Sequence, residues 1–257
     1  MFKAIRILIL LVILATVAGT ALYNRWQSQS WHRTQVVMLY PINAAGDGAT
    51  EDYLQRLDAK AFADLEPYFR QQAARYHLGL DQPIRVVLGG RVQATPPAVP
   101  RDRGVASAIF WSLRMRWWAW RQTPPSSPIP DVKLFLMYHP PNYSGPLPHS
   151  IGLEKGRLGL VHLFASKAQQ GPNQVVIAHE TLHTFGASDK YDPYTLQPIA
   201  PDGYADPYQS PLLPQDRAEL MAGRVPTKPA ASRIPNGMKE TVIGSMTASE
   251  IGWSKSR

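Results

Sequence analysis

The chain contains no cysteine. That excludes a disulfide scaffold, a thiol nucleophile and any zinc or iron–sulfur site held by cysteine. Acidic residues are also scarce: 19 Asp and Glu stand against 27 Lys and Arg, a formal net charge of +8. So basic a chain suits acidic partners, whether phospholipid, polyanion or nucleic acid, without choosing among them. Charged residues make up 18% and hydrophobic residues 44%. This is too apolar for a disordered chain and too polar for a protein of several membrane spans. The 257 residues contain no internal repeat and no linker long enough to demand two domains, so one domain is expected after the N-terminus. Proline, by contrast, is plentiful at 24 residues, about 9% against a usual value of roughly 5%, which predicts long ordered loops.

The one long apolar run is Ile7–Tyr23, uncharged throughout and preceded by Lys3 and Arg6. Its 17 residues are near the lower limit for crossing a hydrocarbon core of about 30 Å. They also exceed the roughly 7–15 apolar residues of a cleaved signal peptide. Ala18, Gly19 and Ala21 would suit cleavage, and Arg25 and Arg33 weaken the charge asymmetry that orients a span. Residues 1–26 are read as a membrane anchor, with a cleaved signal sequence as the alternative. On either reading residues 31–257 form a domain outside the cytoplasm, periplasmic or extracellular, and secreted if the run is cleaved.

Along the rest of the chain, Thr34 to Tyr40 is a β-branched run closed by Pro41 and reads as a strand. Thr50 is the expected N-cap of a helix with Glu51 and Asp52 in its first turn. Leu54, Leu57, Ala61, Phe62, Leu65 and Phe69 continue at helical spacing, and Pro67 should kink that helix or restart it. Further strands are expected at Ile84–Leu88, Val132–Tyr138 and around Gly156 and Gly159 within Ile151–Phe164. Helices are expected at Val105–Arg121 and Thr247–Trp253. Together these elements predict an α+β fold: a mixed twisted sheet with backing helices and a loop-rich C-terminal subdomain, after one N-terminal transmembrane helix.

The chemistry concentrates in NQVVIAHETLHTFGASDKYD, Asn173 to Asp192. Asn173 can cap a helix that Gly186 ends in a left-handed turn. Val175, Ala178, Leu182 and Phe185 form its buried stripe. His179 and His183, four residues apart, project from one face and can reach a single ion at about 2.0–2.1 Å. Glu180 is the helix's only carboxylate, and burying it without a cation would be costly. The pattern His-Glu-x-x-His accounts for all three residues as two zinc ligands and a general base. If Gly186 breaks the helix, the chain can turn and return Asp189 to the same ion, completing three protein ligands and leaving a fourth position open. Bound zinc would then activate water for attack on a carbonyl, with Glu180 taking the proton and delivering it to the leaving amine.

The run HETLHTFGASD resembles the zinc-binding signature of the metzincin clan of metallopeptidases, in the variant with aspartate as third ligand that marks snapalysin-type secreted bacterial proteases. The likeness covers eleven contiguous residues. It implies a zincin-like fold, with His179, His183 and Asp189 as ligands of one catalytic Zn2+, Glu180 as the catalytic base and Gly186 as the turn. It also implies a methionine-containing turn beneath the metal. Met221, in a short apolar patch flanked by Gly223 and Pro226, is the first candidate and Met246 the second. The substrate implied is a polypeptide lying along an edge strand. Two alternatives are a zinc-dependent amidase acting on cell-wall material and a catalytically silent zinc-containing binding protein.

Weaker signals surround this one. Tyr191 can donate to an oxyanion, and Asp192 is an alternative ligand to Asp189. Asp202 and Asp206 are a thin candidate for Ca2+, which needs six to eight oxygens. His139, His149 and His162 can line the cleft. In FWSLRMRWWAWRQ, Phe110 to Gln122, four tryptophans (Trp111, Trp117, Trp118 and Trp120) mix with Arg114, Arg116 and Arg121. This reads first as a helix covering the sheet, its tryptophans buried and its arginines reaching water. The composition also suits a membrane interface. Nucleic acid is disfavoured by the extracytoplasmic reading.

Overall fold

Strand β1 (Gln35–Asn43) is buried along almost its whole length, the pattern of a strand covered on both faces. It pairs in parallel with β2 (Ile84–Leu88) and β3 (Val132–His139). β3 pairs in parallel with β5 (Leu158–Phe164), and β4 (Ile151–Leu153) closes the sheet antiparallel to β5. The strand order is β2-β1-β3-β5-β4. The structure, a computed structural model, describes residues 30–100, 104–154 and 156–254, with Arg6, Ile7, Leu11, Val12 and Gly19.

Five helices accompany the sheet among the described residues: α1 (Gly48–Gln55), α2 (Leu65–Arg75), α3 (Val105–Gln122), α4 (Gln170–His183) and α5 (Ser245–Glu250). The result is a mixed α/β fold with a mixed sheet. One face of the sheet (Val37, Leu39, Leu134, Leu136, Val161, Leu163) packs against Leu54 of α1, Leu65 and Phe69 of α2, and Val175, Ala178 and Leu182 of α4. The other face (Met38, Tyr40, Phe135, Met137, Leu160) meets α3, through Trp111, Met115, Trp118 and Ala119, and Val92 of the loop after β2. Beyond α4 the chain is mostly loop, held by the short parallel pair β6 (Ala218–Glu219) and β9 (Thr241–Val242) and the antiparallel pair β7 (Val225–Lys228) and β8 (Ala231–Arg233). Trp31 joins the two ends of this domain. Its indole N–H donates to the Ile251 carbonyl at 2.6 Å, and its ring meets Phe185 and Trp253.

Several boundaries differ from the sequence reading. β1 does not stop at Pro41 but runs to Asn43. β2's pairing ends opposite Leu39, so Pro41 lies where only the β3 side carries a ladder. Thr50 is not the cap of α1; Asp47 is, its carboxylate accepting the Thr50 N–H at 2.9 Å while Thr50 itself is buried. The helical spacing from Leu54 to Phe69 is not one helix. α1 ends at Gln55, a short 3₁₀ turn spans Ala59–Phe62, and α2 begins anew at Leu65 with Pro67 in its first turn, where proline's missing N–H costs nothing. The transmembrane helix expected over Ile7–Tyr23 falls almost wholly outside the described residues. Among the described residues no helix is long and apolar enough to cross a membrane.

Candidate metal centre

α4 begins at Gln170, one turn earlier than expected, so Asn173 is not its cap. Asn173 instead bonds the last residue of β5: its side-chain amide donates to the Phe164 carbonyl at 2.8 Å and accepts the Phe164 N–H at 3.2 Å. The helix is thereby fixed against the sheet. It ends where expected, because Gly186 takes a φ of 100°, a left-handed conformation that only glycine adopts cheaply. The reversal carries Asp189 back over the last turn of α4.

His179 Nε2 and His183 Nε2 stand 3.0 Å apart, and Asp189 Oδ1 lies 3.1 Å from each. Ligands bound tetrahedrally at 2.0–2.1 Å are separated by about 3.3–3.4 Å, so this triangle needs an expansion of only a few tenths of an ångström to hold one ion. Each outer ring nitrogen is engaged. His179 Nδ1 lies 2.9 Å from the Leu220 carbonyl and His183 Nδ1 2.8 Å from the Ala187 carbonyl. A carbonyl only accepts, so Nδ1 of each ring donates to it, which leaves Nε2 as the atom that would face a shared ion.

Glu180 faces the same space. It is 4% exposed, and its Oε2 is buried without a hydrogen-bond partner. Its ligand atoms and those of His179 and His183 lie within 4.8 Å of one another. Burial raises the Glu180 pKa, against the opposing pull of the two histidines. Burial also works against charge on His179, yet Asp189, Glu180 and the Leu220 carbonyl together raise it to about 9. Asp189 shows the counterpart: burial opposes its charge, but the two imidazoles hold it well below the usual carboxylate range. The pocket between these groups favours a positive charge. His179, Glu180 and His183 are a group that can hold a metal ion.

The loop bearing Asp189 is clamped on both sides. Glu250 of α5 accepts the Ser188 N–H and hydroxyl and both oxygens meet Lys190 Nζ at 2.7 and 2.8 Å. The Lys190 N–H donates to the Met221 carbonyl. Met221 is fully buried in a turn that runs from Glu219 to Gly223, next to the Leu220 carbonyl that orients His179. Glu219, buried beneath it, accepts from the Met221, Ala222 and Gly244 amides and from Thr247. Met246, by contrast, is 45% exposed on α5, away from such a turn.

A cleft of about 350 Å³ opens beside the triangle, lined by His179, Glu180, Val175, Val176, Tyr191 and His162 among others. Tyr191 therefore sits in the site, and burial together with Asp189 and Glu180 pushes its phenol up to about 12. His149 also lines the cleft. His139 does not reach its wall but bonds His162, Nε2 to Nδ1 at 2.9 Å. Burial, with His139 beside it, lowers His162 to about 4, so this pair is neutral.

Other expected site residues fall elsewhere. Asp192 caps its own turn, accepting the Tyr194 and Thr195 amides at 2.9 and 2.8 Å, and its carboxylate is spent there. Asp206 pairs with Arg217 at 3.2 Å, and the metal-capable grouping found among the described residues does not include it or Asp202. Four contributors escaped the sequence reading: Gly152, Glu250 and the carbonyls of Ala187 and Leu220. Gly152 in β4 lies so close to α4 that a Cβ would stand 2.5 Å from the His183 Cβ and 2.7 Å from the Glu180 carbonyl. A glycine inside a strand is the one sequence signal for such an approach. The carbonyls leave no signal at all.

Fold and site thus define a mixed α/β protein with a His-Glu-His group that can hold a metal ion. No family model matches the chain, and no curated protein matches it in sequence.

Proposed function

We propose that the chain is a zinc metallopeptidase, tethered through Ile7–Tyr23 with its catalytic domain outside the cytoplasm. The observation that carries this reading is the triangle of His179, His183 and Asp189 beside a buried Glu180, whose Oε2 lacks a hydrogen-bond partner, at the wall of a cleft. Two imidazoles and one carboxylate, with no thiolate, match the donor set of a catalytic rather than a structural zinc site. Zinc, when bound, supplies Lewis acidity and lowers the pKa of water at its open position.

The remaining steps belong to the chain. Glu180 accepts the proton of the attacking water and hands it to the leaving amine; its raised pKa suits both transfers. Tyr191 keeps its proton at neutral pH and donates to the developing oxyanion. Among the described residues β4 is paired on one side only, and it borders Glu180 through Gly152. A substrate backbone adds to that free edge as a further strand, which selects an extended polypeptide. The mixed sheet, the metal-bearing helix and the loop-rich C-terminal part support the zincin-like reading, with Met221 as the turn methionine.

The test is metal content followed by turnover, on the full chain in detergent. About one zinc per chain and peptide hydrolysis abolished by a chelator are expected. No bound metal after zinc is offered would end the proposal, and hydrolysis of wall fragments without peptide cleavage would transfer the chemistry to a cell-wall amidase.

A further inference from the structure

The most unusual surface lies on the opposite side of the sheet. α3 buries Trp111, Met115, Trp118 and Ala119. Its outer side carries Val105, Ile109, Leu113, Trp117 and Trp120, residues that recur at i, i+4, i+8, i+12 and i+15 and so form one stripe. Phe110 adjoins it. These side chains are 56–76% exposed, over a length of about 24 Å at 1.5 Å per residue. A stripe of that size facing water marks an interaction site.

The stripe's own chemistry points to its occupant. Arg114 and Arg121 border it, with their guanidinium groups 5.8 Å from the Phe110 ring centroid and 5.3 Å from that of Trp117. No acidic residue occurs between Gly104 and Asp131. Exposed tryptophans flanked by arginine, on a helix without carboxylates, match a headgroup boundary in which rings enter the acyl region and cations meet phosphate. The same chain carries the uncharged run Ile7–Tyr23 and a net charge of +8. A basic protein partner would call for carboxylates along the helix, and α3 carries none.

We propose that the outer side of α3 docks on an anionic phospholipid bilayer, lying in the interface plane. Because α4 packs on the other face of the sheet, docking leaves the metal cleft open to solvent. This inference makes no use of the His-Glu-His group and stands whether or not the protein is a peptidase.

The absence of cysteine permits a clean test. The full chain is labelled with an environment-sensitive fluorophore at Leu113→Cys, and separately at Tyr208→Cys, an exposed loop position. Each is mixed with phosphatidylcholine vesicles containing phosphatidylglycerol and a nitroxide-bearing lipid. The label at 113 should shift to the blue and be quenched, while the label at 208 should do neither. Adding Trp117→Glu and Trp120→Glu should cut quenching at 113 at least about fivefold, since two charges replace two interfacial anchors. A label at 113 that stays in water on vesicles carrying the protein would overturn the proposal. So would equal quenching on pure phosphatidylcholine. A blue shift without vesicles that grows with protein concentration would overturn it too, by assigning the stripe to a second copy of the chain.

Discussion

Two helices on opposite faces of one sheet treat their unusual residues in opposite ways. α4 buries polar groups: both imidazoles and Glu180 lie in or beside a core of Val175, Ala178 and Leu182, and each ring is held by a backbone carbonyl. α3 leaves apolar groups in water: Trp117 and Trp120 stand outside while Trp111 and Trp118 fill the core. The sequence reading that buries all four tryptophans is therefore corrected by half. An 18-residue helix has a full circumference, and the sheet covers only one side of it. Buried polarity that is fully oriented is expensive and serves a bound charge. Exposed apolarity that is left uncovered serves a surface still to be met. The two costs sit on one small domain without interfering, because the sheet separates them.

That contrast can be broken or sharpened experimentally. Glu180→Gln should lower peptide hydrolysis by about 10³-fold or more, as expected for loss of a general base, with metal content unchanged; full turnover in this variant would remove Glu180 from the mechanism. Next comes a matched pair on α3. Trp118→Ala should cost about 3–5 kcal/mol in urea unfolding, whereas exposed Trp117→Ala should stay within about 0.5 kcal/mol; equal losses would erase the distinction between the two sides of the helix. Asp189→Ala should weaken zinc binding at least about 100-fold by competition with a fluorescent chelator, and unaltered affinity would place the third ligand elsewhere. Glu250→Gln, which releases the Ser188 and Lys190 clamp without touching the triangle, should weaken the same affinity by about tenfold. The smallest effect is one of pH. Burial lowers the pKa of His162 from its ordinary 6.5 to about 4 in the folded chain, so the unfolded chain takes up its proton first on acidification. Stability is then complete above pH 6.5 and falls as pH drops toward 4. Allowing for partial exposure, this amounts to about 1 kcal/mol. Replacing His162 with Gln should flatten that slope, and an unchanged slope would trace it to other groups.

Sequence alone marked the strands of the main sheet to within a few residues, the extent of α3, and the candidate ligand stretch from His179 to Asp189, because each is written in local periodicity or fixed spacing; the short strands β6 to β9 left no such mark. Gly186 was legible for the same reason: a helix that must stop and reverse there needs a residue free at positive φ. What was not legible depends on contacts far apart in the chain. Thr50 and Asp47 are both good caps, and burial of Thr50 chose between them. Asn173 looked like a cap because its partner, the backbone of Phe164, is visible only once β5 lies beside α4. Gly152, a glycine inside a strand, hints at a close approach, but what it approaches is visible only once the hairpin brings it against Glu180 and His183. The carbonyls of Ala187 and Leu220 belong to every residue alike, so no alphabet of side chains can announce them. Local rules placed the candidate ligands; only tertiary packing could orient their rings, clamp the Asp189 loop to α5, and leave one side of α3 bare, since each of these follows from which surfaces the sheet covers and which it cannot reach.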